Sequence, residues 1–277
     1  MRAWFVVSTE TAWTPKRPEG TLRTLTLREG VHTGERLALL TGNCKNAPQG
    51  FLSTLQSEVP HVVYRMQNAS RGGPTTFSES ILQGKGYIWE SLDLFGRTYF
   101  FKVSASAFFQ PNTRQATLLY EKALSFIQEG DFVCDLYSGT GTLACLAASR
   151  ARFVVAIEQN PDAVLDAREN FARNGKTNIE IHEESVGDTL HKWPRVDMAF
   201  LDPPRAGLDQ KALRFLHSLL PQKIVYISCN PRTQKEDIIQ LVSMGYIVER
   251  VQPIDQFPHT YHIENIAFLV RKTEEKK

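Results

Sequence analysis

The sequence has 277 residues, of which 42% are hydrophobic and 22% charged, and its formal net charge is +2. Those values are ordinary for a soluble globular chain of one large or two modest domains, and they exclude a disordered polyelectrolyte or a fibrous repeat. Charge is uneven along the chain: residues 1–104 carry 12 Lys/Arg against 8 Asp/Glu, while residues 105–277 carry 20 against 22. A polyanion contact from the N-terminal part and a plain solvated surface explain these counts equally well.

Four cysteines (Cys44, Cys134, Cys145, Cys229) form no C-x-x-C pair. That argues against a zinc ribbon, an iron–sulfur cluster or a disulfide framework, and predicts a reducing, cytoplasmic setting with no metal site. The apolar run at 4–7 is too short for a signal peptide, and no run reaches membrane-spanning length.

The first hundred residues read as short strands and turns. Residues 22–28 alternate Leu with polar side chains, 36–40 form a second strand, and 50–58 form a short helix closed before Pro60. Further strands are predicted at 62–67 and 86–92, separated by the turn-rich residues 70–74. After Phe101 the texture changes. A helix is predicted over 113–128, with Ala116, Leu119, Ala123 and Ile127 on one face. Strand and helix signals then alternate, as a parallel sheet requires. The strands are 132–136, 154–158, 179–182, 198–202, 224–228, 246–252 and 266–271, the last two read as an antiparallel edge pair. Asn160-Pro161 opens one helix that Gly175 closes, and Thr233-Gln-Lys-Glu236 matches a capping box for another, ended by Gly245. The predicted fold class is therefore α/β. A smaller α+β domain (1–104) precedes a Rossmann-like catalytic domain (105–277) with a mostly parallel seven-stranded sheet and an antiparallel edge.

Chemistry-bearing residues gather at strand ends, where open α/β sheets form their ligand crevice. The first parallel strand runs into Tyr137-Ser-Gly-Thr-Gly-Thr-Leu-Ala144, a nucleotide-loop pattern with Asp135 before it. Glu158 ends the next strand, placed to accept from both hydroxyls of a ribose. Strand four ends in Asp202-Pro-Pro-Arg-Ala-Gly207. Strand five, an unbroken apolar run from Ile224 to Ile227, stops at Ser228-Cys-Asn-Pro231. Taken alone, Cys229 is a small buried hydrophobe or a nucleophile. Converging partners favour the second reading. Carbon 5 of uracil is a poor nucleophile until a thiolate adds to carbon 6, and a base must later remove the carbon-5 proton. Cys229 and Glu264 are the candidates for these two roles.

The loop pattern Asp-x-x-x-Gly-x-Gly resembles the first motif of S-adenosylmethionine-dependent methyltransferases. Together, Phe108-Phe-Gln-x-Asn112, Asp135-Leu-Tyr-Ser-Gly-Thr-Gly, Leu201-Asp-Pro-Pro-Arg-Ala-Gly207, Ser228-Cys-Asn-Pro231 and Asp255-Gln-Phe-Pro-His-Thr-x-His-Ile-Glu264 resemble the RNA uracil-5-methyltransferases over residues 105–277. The N-terminal part is similar to that family's central domain through Gly20-x-Leu22-Arg23, Arg28-Glu-Gly30 and Thr33-Gly-Glu35.

The resemblance implies class I S-adenosylmethionine chemistry on carbon 5 of an RNA uridine. Cys229 is then the nucleophile and Glu264 the base, and Gln110, Tyr137, Thr142, Glu158, Asp202 and Ser185 (or Asp188) contact the cofactor. Thr142 stands where the family usually has Asn. His259 and His262 orient the loop, touch phosphate or are simply solvated. The expected partner is ribosomal or transfer RNA, ribosomal RNA being favoured, with backbone contacts from Arg17, Arg23, Arg28 and Arg36. A monomer is expected, with no membrane and no metal cluster. The family's N-terminal RNA-binding barrel and iron–sulfur cysteines are missing from these residues, which a compact member or a truncated chain would explain. Two other readings stay open. One is methylation of an exocyclic amino group by Asp202-Pro-Pro204, against which Arg205 stands in place of the usual aromatic residue. The other is an inactive RNA-binding protein.

Overall fold

A computed structural model describes residues 10–14, 20–55, 58–68, 75–189, 193 and 195–272. Arg17, the apolar run at 4–7 and the turn at 70–74 lie outside them. The chain divides into two units: residues up to Ser91 with Lys102–Ser106, and Leu92–Phe101 with everything from Ala107 onward.

The first unit holds a four-stranded sheet in the order β1 (Leu22–Glu29), β2 (Arg36–Gly42), β3 (His61–Asn68), β4 (Thr76–Gln83). β2 and β3 run parallel, joined through the short helix α1 (Phe51–Leu55), and both outer pairs are antiparallel. Leu22, Ala38, Leu40, Phe51, Val62 and Tyr64 pack as its core. β4 has no apolar alternation and is almost wholly exposed, which is why sequence periodicity does not announce it.

β5 (Tyr87–Leu94) and β6 (Arg97–Ser104) form a hairpin. Its turn is Phe95-Gly96, both at positive φ (51° and 75°), the conformation that matches strand twist in two-residue loops. The sequence places residues 92–101 in the first domain. Leu92, Leu94, Tyr99 and Phe101 are instead buried in the core of the second unit.

The second unit is a seven-stranded sheet, in the order β12 (Tyr246–Ile254), β13 (Glu264–Arg271), β11 (Lys223–Ser228), β10 (Met198–Leu201), β7 (Phe132–Leu136), β8 (Phe153–Glu158), β9 (Ile179–Glu183). β9 through β11 pair in parallel, and β13 is antiparallel to both β11 and β12. The central strands are apolar throughout because both faces are covered. Val133, Val154, Phe200 and Val225 face the core built with α2 (Thr113–Leu124), α3 (Thr142–Ala147) and α4 (Pro161–Arg173). Cys134, Val155, Leu201 and Tyr226 face the core built with α5 (Gln210–Leu219) and α6 (Pro231–Ser243).

The helix boundaries bring two corrections. α2 ends at Leu124 rather than Gln128, its last turn closed by Ser125. The Thr233–Glu236 capping box is not the cap of α6. Asn230 is, its side chain accepting from Arg232 N with Pro231 at the first position, while Thr233 Oγ1 donates to Arg205 O and Asn230 O.

Candidate active site

The ends of the parallel strands open onto one cavity of about 580 Å³, a size suited to a nucleoside-sized ligand. Of the residues singled out from sequence for catalysis or cofactor contact, Gln110, Tyr137, Thr142, Glu158, Ser185, Asp202, Cys229 and Glu264 line it. Asp188 does not line it, and its carboxylate pairs with Lys211 at 2.7 Å.

The loop after β7 shows why its residue types matter. Gly141 sits at φ +72°, and a Cβ there would lie 2.6 Å from the Phe171 ring and 2.9 Å from Ala167 Cβ. Gly139, at φ +54°, has nothing within 4 Å, so its backbone is open to the cavity. Substituting Ala at Gly141 combines left-handed strain with overpacking and is expected to destabilise the fold by about 2–4 kcal/mol in urea unfolding. At Gly139 only the strain acts, about 1–2 kcal/mol. Tyr137, at φ +67°, holds a left-handed conformation without being glycine, a strain that clusters at functional sites.

Glu158 braces this loop. One carboxylate oxygen accepts from Gly139 N at 2.9 Å and the other from Asn160 N at 2.8 Å. Two residues beyond the cavity-lining Gln110, Asn112 caps α2 and makes a reciprocal amide clasp. Its Nδ2 donates to Gln256 O at 3.2 Å, and Gln256 Nε2 donates to Asn112 O at 3.1 Å. The clasp ties the Phe108–Asn112 stretch to the loop preceding Glu264. No sequence signal foretells it, since its partners are 144 residues apart.

Cys229 and Glu264 are brought together by strand register. β11 and β13 pair antiparallel up to Ser228 opposite Asn265, so the next position on each strand is Cys229 and Glu264. Cys229 is half-buried, while Glu264 is only 3% exposed.

Among the described lining residues, five carboxylates (Asp135, Glu158, Glu184, Asp202, Glu264) face one arginine, Arg205. Burial is the main reason that three of them, Asp135, Asp202 and Glu264, hold their protons. It pushes Asp202 up to about 7. It also pushes Glu264 up to about 8, helped by Asp202 and opposed by Arg205. Asp135 is raised by burial and then by Asp202. The Cys229 thiol is raised by burial and by Glu264, with Arg205 opposing. The Tyr120 hydroxyl, which sequence reasoning passes over, lines the same wall and is raised by burial and by Asp202.

Arg205 is positioned through its own backbone, whose carbonyl accepts from Asn230 Nδ2 at 3.0 Å and Thr233 Oγ1 at 3.3 Å. Its Nη2 lies 3.3 Å from His262 Nδ1, and since a guanidinium only donates, His262 accepts there. His259 is exposed and does not line the cavity. Arg205→Ala is expected to move the pH dependence of Cys229 alkylation by iodoacetamide to higher pH, because the one cation that lowers the thiol is removed. A profile that stays put or moves down would contradict this electrostatic assignment.

The arginines expected to meet RNA from the first unit are partly engaged within it. Arg23 stacks on Trp13 at 4.0 Å and donates to Asn43 Oδ1, Arg36 pairs with Glu29 at 3.3 Å, and Arg28 is half-buried near Arg65.

A model of the tRNA (uracil-5-)-methyltransferase family matches residues 74–191 and 187–272. An uncharacterised RNA methyltransferase of Protochlamydia amoebophila is 41% identical over 97% of this chain and 67% of its own length. A second from Chlamydia muridarum is 34% identical over 98% of this chain and 72% of its own. Among solved structures, the tRNA (uracil-54, C5)-methyltransferase of Pyrococcus abyssi in complex with S-adenosyl-L-homocysteine superposes with a TM-score of 0.73. It is 30% identical and covers 93% of this chain, which spans 62% of that structure's length.

Proposed function

Because the chain belongs to the RNA (uracil-5-)-methyltransferase family, an S-adenosylmethionine-dependent enzyme family, we propose that it methylates carbon 5 of a uridine in RNA. The observation that carries this reading is the β11–β13 register, which sets a thiol and a buried carboxylate side by side at the cavity wall.

The residues present fit the cofactor. Asp135 Oδ2, Gln110 Oε1 and Ser138 Oγ are buried polar atoms without a protein partner, and all three residues line the cavity. Buried polar groups in native proteins are satisfied, so a polar ligand is the expected partner. The excess of carboxylates suits a ligand bearing positive charge. Gln110, Tyr137, Thr142, Glu158, Ser185 and Asp202 would hold S-adenosylmethionine, with Glu158 at the ribose. When bound, that cofactor supplies an electrophilic methyl group on a sulfonium.

The chain's own residues then do the following. Cys229, as thiolate, forms a bond to carbon 6 of the uracil, and the displaced π electrons make carbon 5 nucleophilic. After carbon 5 is alkylated, Glu264 takes its proton. The electrons left behind restore the 5,6 double bond and expel the Cys229 sulfur. To present carbon 6 the uridine leaves its stack, and the exposed Phe108 ring at the cavity mouth offers a stacking surface.

Structured RNA is the proposed substrate class. The matching family model and the Pyrococcus abyssi structure are named for transfer RNA, while ribosomal RNA is the expectation from sequence, so both belong in the test. The four free thiols agree with a cytoplasmic enzyme, which we read as a monomer. Incubation with S-adenosylmethionine and each RNA, followed by nucleoside analysis, is expected to yield 5-methyluridine. Methylation confined to exocyclic amino groups would replace this reading with the Asp202-Pro-Pro204 alternative.

A further inference from the structure

Three segments of the second unit that the catalytic reading leaves unused converge on one surface: the hairpin tip 92–101, residues 148–152 after α3, and residues 173–178 after α4. Asn174 fixes the junction. Its side chain accepts from Phe100 N at 3.0 Å and donates to Phe100 O at 2.7 Å, while Arg97 Nη2 donates to Asn174 O at 3.0 Å. The Tyr99 hydroxyl meets Ser149 Oγ at 2.8 Å, and Lys176 Nζ donates to the same oxygen. Asn178 Nδ2 donates to Ala148 O at 2.9 Å and Ala151 O at 3.1 Å. The surface is therefore a fixed platform and not a set of independent loops.

Its composition is one-sided. The three segments contain five basic residues (Arg97, Arg150, Arg152, Arg173, Lys176) and one acid, Asp93, whose carboxylate accepts from the Thr98 hydroxyl. The cations are interleaved with rings. Arg150 lies 4.8 Å from the Phe95 centroid, Arg173 5.4 Å from Phe100, and Arg97 and Lys176 5.2 and 5.1 Å from Tyr99. Phe95 and Phe100 are 51% and 37% exposed. A hairpin anchored only for stability would bury those rings, as it does Tyr99. Arg97, Arg150, Arg152 and Arg173 are exposed, and the planar fork of a guanidinium matches phosphate oxygens. An exposed ring beside it suits a base.

The platform lies at the end of the sheet where the parallel strands begin. Arg152 N donates to Asp131 O and Val154 N to Asn178 O, at the starts of β7, β8 and β9. The cavity lies at the opposite, carboxyl end of the same strands. Strands of five or six residues separate the two by about 15–20 Å.

We infer that this basic, aromatic-interleaved platform is a second docking surface for the sugar–phosphate backbone of the substrate RNA, engaging a segment remote from the target uridine. The inference rests on reading the chain as an RNA methyltransferase, and it narrows the substrate to folded RNA wide enough to reach both ends of the sheet.

The test uses the full chain with the double variant R150E/R173E. Its binding to unfractionated transfer RNA and to a ribosomal-RNA transcript is measured across a salt series. A control, R214E/K272E, makes the same charge change at two exposed positions elsewhere on the unit. The platform variant is expected to bind at least one of these RNAs ~10-fold more weakly than the control does, with a salt slope shallower by about 2. Its dissociation constant for S-adenosylmethionine should be unchanged. Equal loss in both variants, or none in either, overturns the platform while methyl transfer by the wild type keeps the enzymatic reading intact. Failure of the wild-type chain to bind any RNA overturns both.

Discussion

Cys229→Ala is expected to lower methyl transfer to RNA by about 10⁴-fold or more, with S-adenosylmethionine binding and thermal unfolding nearly unchanged. The size follows from the chemistry. Without addition at carbon 6, carbon 5 has no electron pair to offer, and no other described thiol lines the cavity: Cys134 and Cys145 are buried in the cores, and Cys44 belongs to the first unit. Stability should barely respond because Cys229 is half-buried at a strand end and contributes to neither hydrophobic core. Transfer of tritiated methyl, measured beside a thermal melt and a cofactor titration, separates the possibilities. Full activity in the alanine variant would remove the covalent mechanism and restore amino-group methylation. Loss of cofactor binding together with activity would instead make Cys229 a structural residue of the crevice.

The catalytic unit is legible in the sequence because its signals are local. Buried parallel strands read as continuous apolar runs, and most site residues sit within two positions of a strand end, Gln110 and Thr142 lying six beyond one. Ile224 to Ile227 announces β11, and the antiparallel edge pair β12–β13 follows from the missing helix between two strands. Other features are non-local and leave no mark. β6 pairs through a turn at positive φ on Phe95, a residue that does not advertise such a turn. The Asn112–Gln256 clasp and the Tyr120 hydroxyl depend on tertiary proximity. The Thr233–Glu236 motif shows the opposite failure, in which a valid local pattern loses to Asn230-Pro231 three residues earlier. In the first unit, charge alone marks Arg23 and Arg36 as RNA contacts, and charge does not say which neighbours claim a guanidinium.

Replacing Glu264 by Gln is expected to stop turnover at a later point than the cysteine variant does. The amide matches the carboxylate in shape and cannot accept the carbon-5 proton, so the carbon–sulfur bond to Cys229 cannot break. An RNA–protein adduct should therefore accumulate and run as a slow band on denaturing gels, and it should vanish in the Cys229→Ala/Glu264→Gln double variant. If Glu264→Gln methylates RNA and releases it freely, some other group is the base. The same substitution carries a stability signature of opposite sign to the usual loss of a buried charge. Burial first, and Asp202 second, raise the Glu264 carboxyl from the ordinary 4.5 to about 8. A carboxyl raised on folding favours the folded state fully below its unfolded value, and that contribution is lost as pH rises through the folded value. Cofactor-free wild type should thus lose stability between about pH 4.5 and 8 from this group. Glutamine does not titrate, so the stability difference between variant and wild type should shift toward the variant across that interval, as read by urea unfolding at pH 5 and pH 8. The raised value also fits the Glu264 carboxylate to proton removal. Once ionised it is a far stronger proton acceptor than an exposed glutamate, and the adjacent Arg205 keeps the ionised form within reach near neutral pH.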